Sequence, residues 1–198
     1  EVRQTFDFVG EHDKANRHLL DQLLRSQIYQ HYERAFSAAT GLQLKLRAAK
    51  TSRLAHHGTQ EQNPFCSLMA QSTRACAACL EVQQELSENS SDAPKTVTCF
   101  AGLCDSAVPV RIGTELIGFL QTGQIFTHKP TKTRFTRAAR QLVRWGLTTD
   151  FKRLEEAYFH TRVIPLKQYE AMLQLLATFG QHLSQISNQL AVKQQHAE

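Results

Sequence analysis

The chain has 198 residues, 41% of them hydrophobic, enough for one sizeable domain or one domain with a helical appendage. With 23 Lys and Arg against 18 Asp and Glu it carries a formal charge of +5. No run of about 18 apolar residues is present, which excludes a membrane-spanning helix, and five cysteines, an odd count, do not make a disulfide framework and point to a reducing cytoplasm. The opening residues alternate charges and lack an apolar signal core, which argues against export. They also lack an initiator Met, as expected of a fragment cut from a longer chain.

Residues 15–39 predict one long amphipathic helix, its buried stripe marked by Leu19, Leu20, Leu23, Leu24, Ile28, Tyr32 and Phe36. Thr40-Gly41 is its expected stop. "LQLKLRA" (42–48) alternates like a half-buried strand. The polar loop that follows holds His56 and His57, read as a solvated pair rather than ligands. The cysteine-bearing stretch "NPFCSLMAQSTRACAACLEVQQEL" is helical in pattern.

Beyond a polar linker at 88–95 the pattern turns to strands. "TVTCFAG" is the first, and "SAVPVRIGTELIGFLQTGQIF" reads as a hairpin turning near Gly113-Thr114. Pro109 marks an edge or a bulge in the first arm. Helices are expected over 131–145, 149–160 and from Leu166 to about Lys193. Helices flanking a small antiparallel sheet make an α+β domain.

Between His128 and Arg153 lie eight Lys and Arg opposed only by Asp150. Phe135, Ala138, Leu142 and Trp145 repeat there at helical spacing, so the basic residues fall on the wet face. That reading is preferred to a phosphate-tracking stripe, because the segment lacks the paired helices of a DNA-reading motif.

The cysteines follow the spacing C-x9-C-x2-C-x19-C, with Cys104 left over as a core thiol. Cys76 and Cys79, three apart, share one helix face. Together Cys66, Cys76, Cys79 and Cys99 could hold Zn²⁺ or an iron–sulfur cluster, since soft sulfur suits both. Packing as small hydrophobes is the competing reading. On one unbroken helix Cys66 and Cys76 would stand about 15 Å apart. A shared ion therefore requires a break at Gln71-Ser72-Thr73, where Ser72 or Thr73 can cap a new helix.

"PFCSLM", "ACAAC", "TCFAGLCDSAVPV" and "IGFLQTGQIF", taken in that order, resemble the PocR-type sensory domain of bacterial regulators. The resemblance spans roughly 15–185. It implies a PAS-like antiparallel sheet flanked by helices, of a kind found upstream of AraC-type DNA-binding domains or in sensor kinases. It also implies a cytoplasmic sensor of small hydrocarbon derivatives. The family's cysteine pattern maps to Cys66, Cys76 and Cys99, with Gly102-Leu103 completing its last motif. The chain departs from the pattern at Phe100, where a His is usual, and adds Cys79.

In β-alternation Ile117, Phe119, Gln121 and Gly123 share one face of "ELIGFLQTGQIF", and Gly118, Leu120, Thr122 and Gln124 the other. An ordinary sheet core is the plain reading. With the resemblance, a small-molecule cavity bordered by Phe100, Phe119, Gln121, Gly123 and Gln124 is preferred. The organisation expected is a sensory domain over 1–165 and a signalling helix over 166–198 that leads to an output domain. In that helix Tyr169, Met172, Leu176, Phe179, Leu183, Ile186 and Leu190 step by 3 and 4, as in a parallel homodimer seam, with a single helix packed on its own core as the competing reading. DNA would be reached only through the absent output domain. No paired carboxylates, Ser-His-Asp set or phosphate-cradling loop argues for an enzyme. The alternative function is a cysteine-ligated metal or redox sensor.

Overall fold

The structure is a computed structural model that describes residues 2–49, 63–88 and 91–195, with side chains described over 14–49, 63–88 and 91–193. His56 and His57 lie outside the described residues. Two helices, α1 (Val2–Arg25) and α2 (Gln27–Thr40), stand where one was expected. The break falls at Ser26, an extended residue (φ −68°, ψ 140°) whose hydroxyl accepts from the Tyr29 N–H. Restarting the helix there shifts its phase. Tyr29 is buried, its hydroxyl accepting from the Leu46 N–H at 3.0 Å, whereas Ile28 is 46% exposed. Gly41, at φ 66°, ends α2 in the left-handed conformation.

Four antiparallel strands, β1 (Lys45–Ala48), β2 (Lys95–Thr98), β3 (Cys104–Ile112) and β4 (Glu115–Ile125), form a sheet in the order β1-β4-β3-β2. With its helices this is the α+β fold expected from the sequence pattern. The β3–β4 hairpin turns at Gly113-Thr114 as anticipated. Pro109 lies in β3 beyond the last β2 partner, Ala107, on a stretch of the strand paired only with β4, in keeping with an edge position.

β4 is bulged twice. The register passes from Val110↔Gly118 to Arg111↔Leu116, skipping Ile117, and from Asp105↔Gly123 to Cys104↔Ile125, skipping Gln124. Each bulge reverses the alternation. Ile117 therefore packs with Leu20, Leu46 and Val110 on one side, while Phe119 packs with Leu86, Val97 and Ala107 on the other. The shared face expected for Ile117 and Phe119 is thereby corrected.

The cysteine region breaks at Gln71-Ser72, within the stretch where a shared ion would need a break. α3 (Pro64–Met69) ends, and α4 (Thr73–Ser87) starts on an N-cap at Ser72, whose hydroxyl accepts from the Ala75 N–H at 3.3 Å. α4 covers the Phe119 face of the sheet through Leu86. A second core, around Phe65, Phe126, Leu142, Leu154 and Tyr158, joins α3 to α5 (Lys132–Arg144) and α6 (Phe151–His160).

The last helix, α7 (Leu166–Gln195), lies across the opposite face of the sheet. Tyr169, Leu176, Phe179 and Leu183 are buried there with Val108, Leu120 and Ile125 of the same chain. Phe179 stacks on Tyr32 of α2, centroids 3.5 Å apart. At Gly180 a Cβ would stand 2.7 Å from Val108 Cγ1, so only glycine lets the helix approach this closely. The stripe read as a dimer seam is thus filled by the chain's own sheet. A 3–4 repeat describes any helix with one apolar face, and the nearest apolar surface is intramolecular.

Candidate ligand site between the sheet and helix α4

Four of the polar side chains on the α4-facing side of the sheet are Arg47 from β1, Gln121 and Asp105 from β4 and β3, and Gln83 from α4. Gln121 is 2% exposed. Its Nε2 donates to Gln83 Oε1 at 2.7 Å, and Arg47 Nη1 donates to Gln83 Oε1 at 2.6 Å and to Gln121 Oε1 at 2.9 Å. Burial lowers the pKa of the Arg47 guanidinium, and the Asp105 carboxylate opposes that fall. At Gly123 (φ 148°) an added Cβ would stand 2.5 Å from Asp105 Oδ1 and 2.6 Å from the Cys104 carbonyl oxygen. Glycine there lets the Asp105 backbone and carboxylate lie flat against β4.

Next to this cluster α3, α4 and the turn after β2 carry thiols near enough to influence one another. Burial pushes the Cys66 thiol well up, reinforced by Asp105, Cys99 and Cys79. Burial likewise pushes Cys79 up to about 12, with Cys99, Asp105 and Cys76 adding to the rise. Cys99 is pushed up to about 11 by burial, against the opposing pull of hydrogen bonds from the Ala101, Leu103 and Gly102 amides. Those amides surround the sulfur because the chain turns sharply there: the Cys99 N–H donates to the Leu103 carbonyl at 2.8 Å, and Gly102 adopts φ 90°. Cys76 donates its thiol to the Ala70 carbonyl at 3.3 Å. Cys104 points to the other face, packed with the α7 core as a core thiol should be. Among the described residues, no three His, Cys, Asp or Glu side chains stand in a metal-holding arrangement.

The residues expected at a ligand cavity are divided by the fold. Phe119, Gln121 and Gly123 face α4. Phe100 belongs to the second core, edge-on to Trp145 with centroids 4.7 Å apart. Gln124, at φ 58°, uses its side-chain carbonyl to accept from the Asn63 N–H at 3.0 Å. Asn63 caps α3, accepting from the Phe65 and Cys66 amides, and donates to the Gln124 carbonyl oxygen. Gln124 therefore anchors the helix that carries Cys66. Arg47, Gln83 and Asp105 were not picked out in the sequence. A signal for Gln83 was present: Cys76, Cys79, Gln83 and Leu86 step by 3, 4 and 3 along one stripe of α4.

Sheet and helix thus define a class of domain, an α+β module that sequesters a polar, thiol-bearing layer beneath one helix and mounts a long terminal helix on its other face. The chain belongs to the PocR sensory-domain family: the family model described as "Sensory domain found in PocR" matches residues 22–188. It is 30% identical over 107 residues to "Regulatory protein PocR" of Salmonella typhimurium (strain LT2), a match that covers 52% of this chain and 34% of that protein. The chain thus spans about a third of the length of that curated relative. Membership gives it a sensory role in regulation. No solved structure matches. No helix among the described residues is long and apolar enough to cross a membrane.

Proposed function

We propose that the domain binds a small organic molecule in the polar layer between α4 and the sheet and relays occupancy through α7 to an output module of a cytoplasmic bacterial transcriptional regulator. The observation that carries this reading is the Arg47–Gln83–Gln121 network. Placing a guanidinium and two amides at a helix–sheet interface costs desolvation that an apolar interface would avoid. Sensory binding offers a reason to keep them, because such groups orient a small ligand within otherwise apolar walls, here Phe119 and Val97. The relay follows from β4 having two sides. Gln121 faces the site while its neighbour Leu120 packs in the α7 core, so a ligand that prefers one setting of β4 biases the seat of α7. A calorimetric screen of small alcohols, diols and carboxylic acids tests it. Gln121→Ala and Gln83→Ala should each weaken the best binder about tenfold or more, the loss of one good hydrogen bond. Unchanged affinity in both variants removes this site from the function.

A second reading is a thiolate-held zinc ion or iron–sulfur cluster, supported by thiols near enough to act on one another: Cys99 and Cys79 on Cys66, and Cys99 and Cys76 on Cys79. Ligation would require their protons to leave, which a cation promotes by stabilising thiolate. Metal analysis and an absorption spectrum of anaerobically purified protein decide it. Stoichiometric zinc or iron that Cys99→Ser releases supports the metal sensor; metal-free, colourless protein that binds the organic ligand discards it.

A further inference from the structure

α5 carries Lys132, Arg134, Arg137, Arg140 and Arg144 and no acidic residue, five positive charges in a chain whose net charge is +5. All five are exposed, and among the described residues none forms an ion pair with a carboxylate. An ordinary solvated helix face alternates signs at i, i+4 so that neighbours attract. Here Arg137, Arg140 and Arg144 follow one another at steps of 3 and 4, so neighbours repel. The stripe borders a groove of about 540 Å³ between α5 and α6. Phe135, Ala139, Val143 and Phe151 give the groove its apolar walls, and Arg140 and Arg144 form its rim. Val143 is 53% exposed and Phe151 42% exposed, two large apolar side chains in water beside a row of cations.

We infer that this face docks an acidic amphipathic helix of a partner protein. Its carboxylates would meet Arg137, Arg140 and Arg144, and its apolar stripe would cover Val143 and Phe151. Charge complementarity selects an anionic occupant. The apolar floor separates the two anionic classes. A nucleic-acid backbone meets its partners through phosphate and sugar and would leave Val143 and Phe151 wet. A helix laid in a groove buries such residues and gains from it. The surface lies apart from the polar layer under α4, so it is independent of the ligand reading.

The test is fluorescence anisotropy of the 198-residue chain with two labelled probes. One is a synthetic helical peptide of about five turns with a Glu stripe and a Leu stripe, the other a mixed-sequence DNA duplex of similar length. The peptide should bind saturably and weaken as salt rises. Arg140→Glu with Arg144→Glu should cut its affinity about tenfold or more, and Val143→Ser with Phe151→Ser by a similar factor. Arg137→Gln with Arg140→Gln is the milder second pair, and thermal melting checks that every variant folds. The inference is overturned if the peptide shows no saturable binding. It is equally overturned if the duplex binds more tightly and is indifferent to the Val143→Ser and Phe151→Ser changes, which would make the stripe a nucleic-acid contact.

Discussion

Gln121 Nε2 on β4 donates to Gln83 Oε1 on α4 at 2.7 Å, joining the centre of the sheet to the helix that carries Cys76 and Cys79. The same Gln83 oxygen accepts from Arg47 on the neighbouring strand. Three residues separated by as many as 74 positions therefore depend on one another. Because Gln121 is buried and its partners Arg47 and Gln83 are half-buried, each member's value lies largely in keeping the others satisfied.

A double-mutant cycle measures that dependence. Gln83→Ala should cost roughly 1–3 kcal/mol, since it strands the buried Gln121 amide, and Gln121→Ala roughly 1 kcal/mol, since the partners it strands are half-buried. The double variant should cost clearly less than the sum, because the second deletion removes a group already stranded. Additive losses in urea titrations would show that the two amides act separately.

Gly123→Ala should be more damaging than Gly113→Ala. At Gly123 the new Cβ meets Asp105 Cα at 2.6 Å and the Cys104 carbonyl oxygen at the same distance, both backbone atoms that cannot step aside. At Gly113 nothing lies within 4 Å, so the penalty is the φ of +56° alone. About 1 kcal/mol is expected at Gly113, and at least twice that at Gly123. Equal melting temperatures in the two variants would contradict the close strand approach.

The seat of α7 is tested by two leucines on the same helix. Leu183 is fully buried and Leu175 is 58% exposed. Leu183→Ala should cost about 2–5 kcal/mol, as large-to-small changes in a packed core do. Leu175→Ala should stay within about 0.5 kcal/mol, the range of exposed substitutions. A Leu183→Ala protein that keeps its melting temperature but changes its mass in light scattering would restore the dimer-seam reading.

Alkaline stability follows from the thiols. Burial pushes the Cys79 thiol up to about 12 and the Cys99 thiol up to about 11, from an ordinary thiol value of 9.0. Between the ordinary and the folded values the folded state holds more protons than the unfolded one, so stability falls as pH rises there. Below the ordinary value the contribution is complete. Each such thiol should remove up to about 1.4 kcal/mol per pH unit above that value. Cys99→Ala should flatten the decline between pH 9 and 11, the interval its own shift defines; an identical slope would show that Cys99 is not buried as a neutral thiol.

Local chemistry in the sequence marked many of the points where elements begin and end. Gly113-Thr114 read as a turn, Ser72 or Thr73 as a cap and Thr40-Gly41 as a helix stop, and the ordered motifs around the cysteines resembled the family. Those features depend on a few neighbouring residues, and their physics is the same in any fold. Tertiary structure decided what each element touches. The apolar stripe of α7 fits a partner helix as well as it fits a sheet, and only the proximity of Val108 and Leu120 chose the sheet. The two bulges in β4 reversed a face that strict alternation had assigned, because one extra residue flips every side chain beyond it. Ser26 broke a pattern that periodicity alone made continuous, and so buried Tyr29 in place of Ile28. Arg47, Gln83, Gln121 and Asp105 come from four separate segments, and no local pattern could bring them together. Their meeting is a product of sheet order and of α4 crossing one face, which are properties of the folded chain.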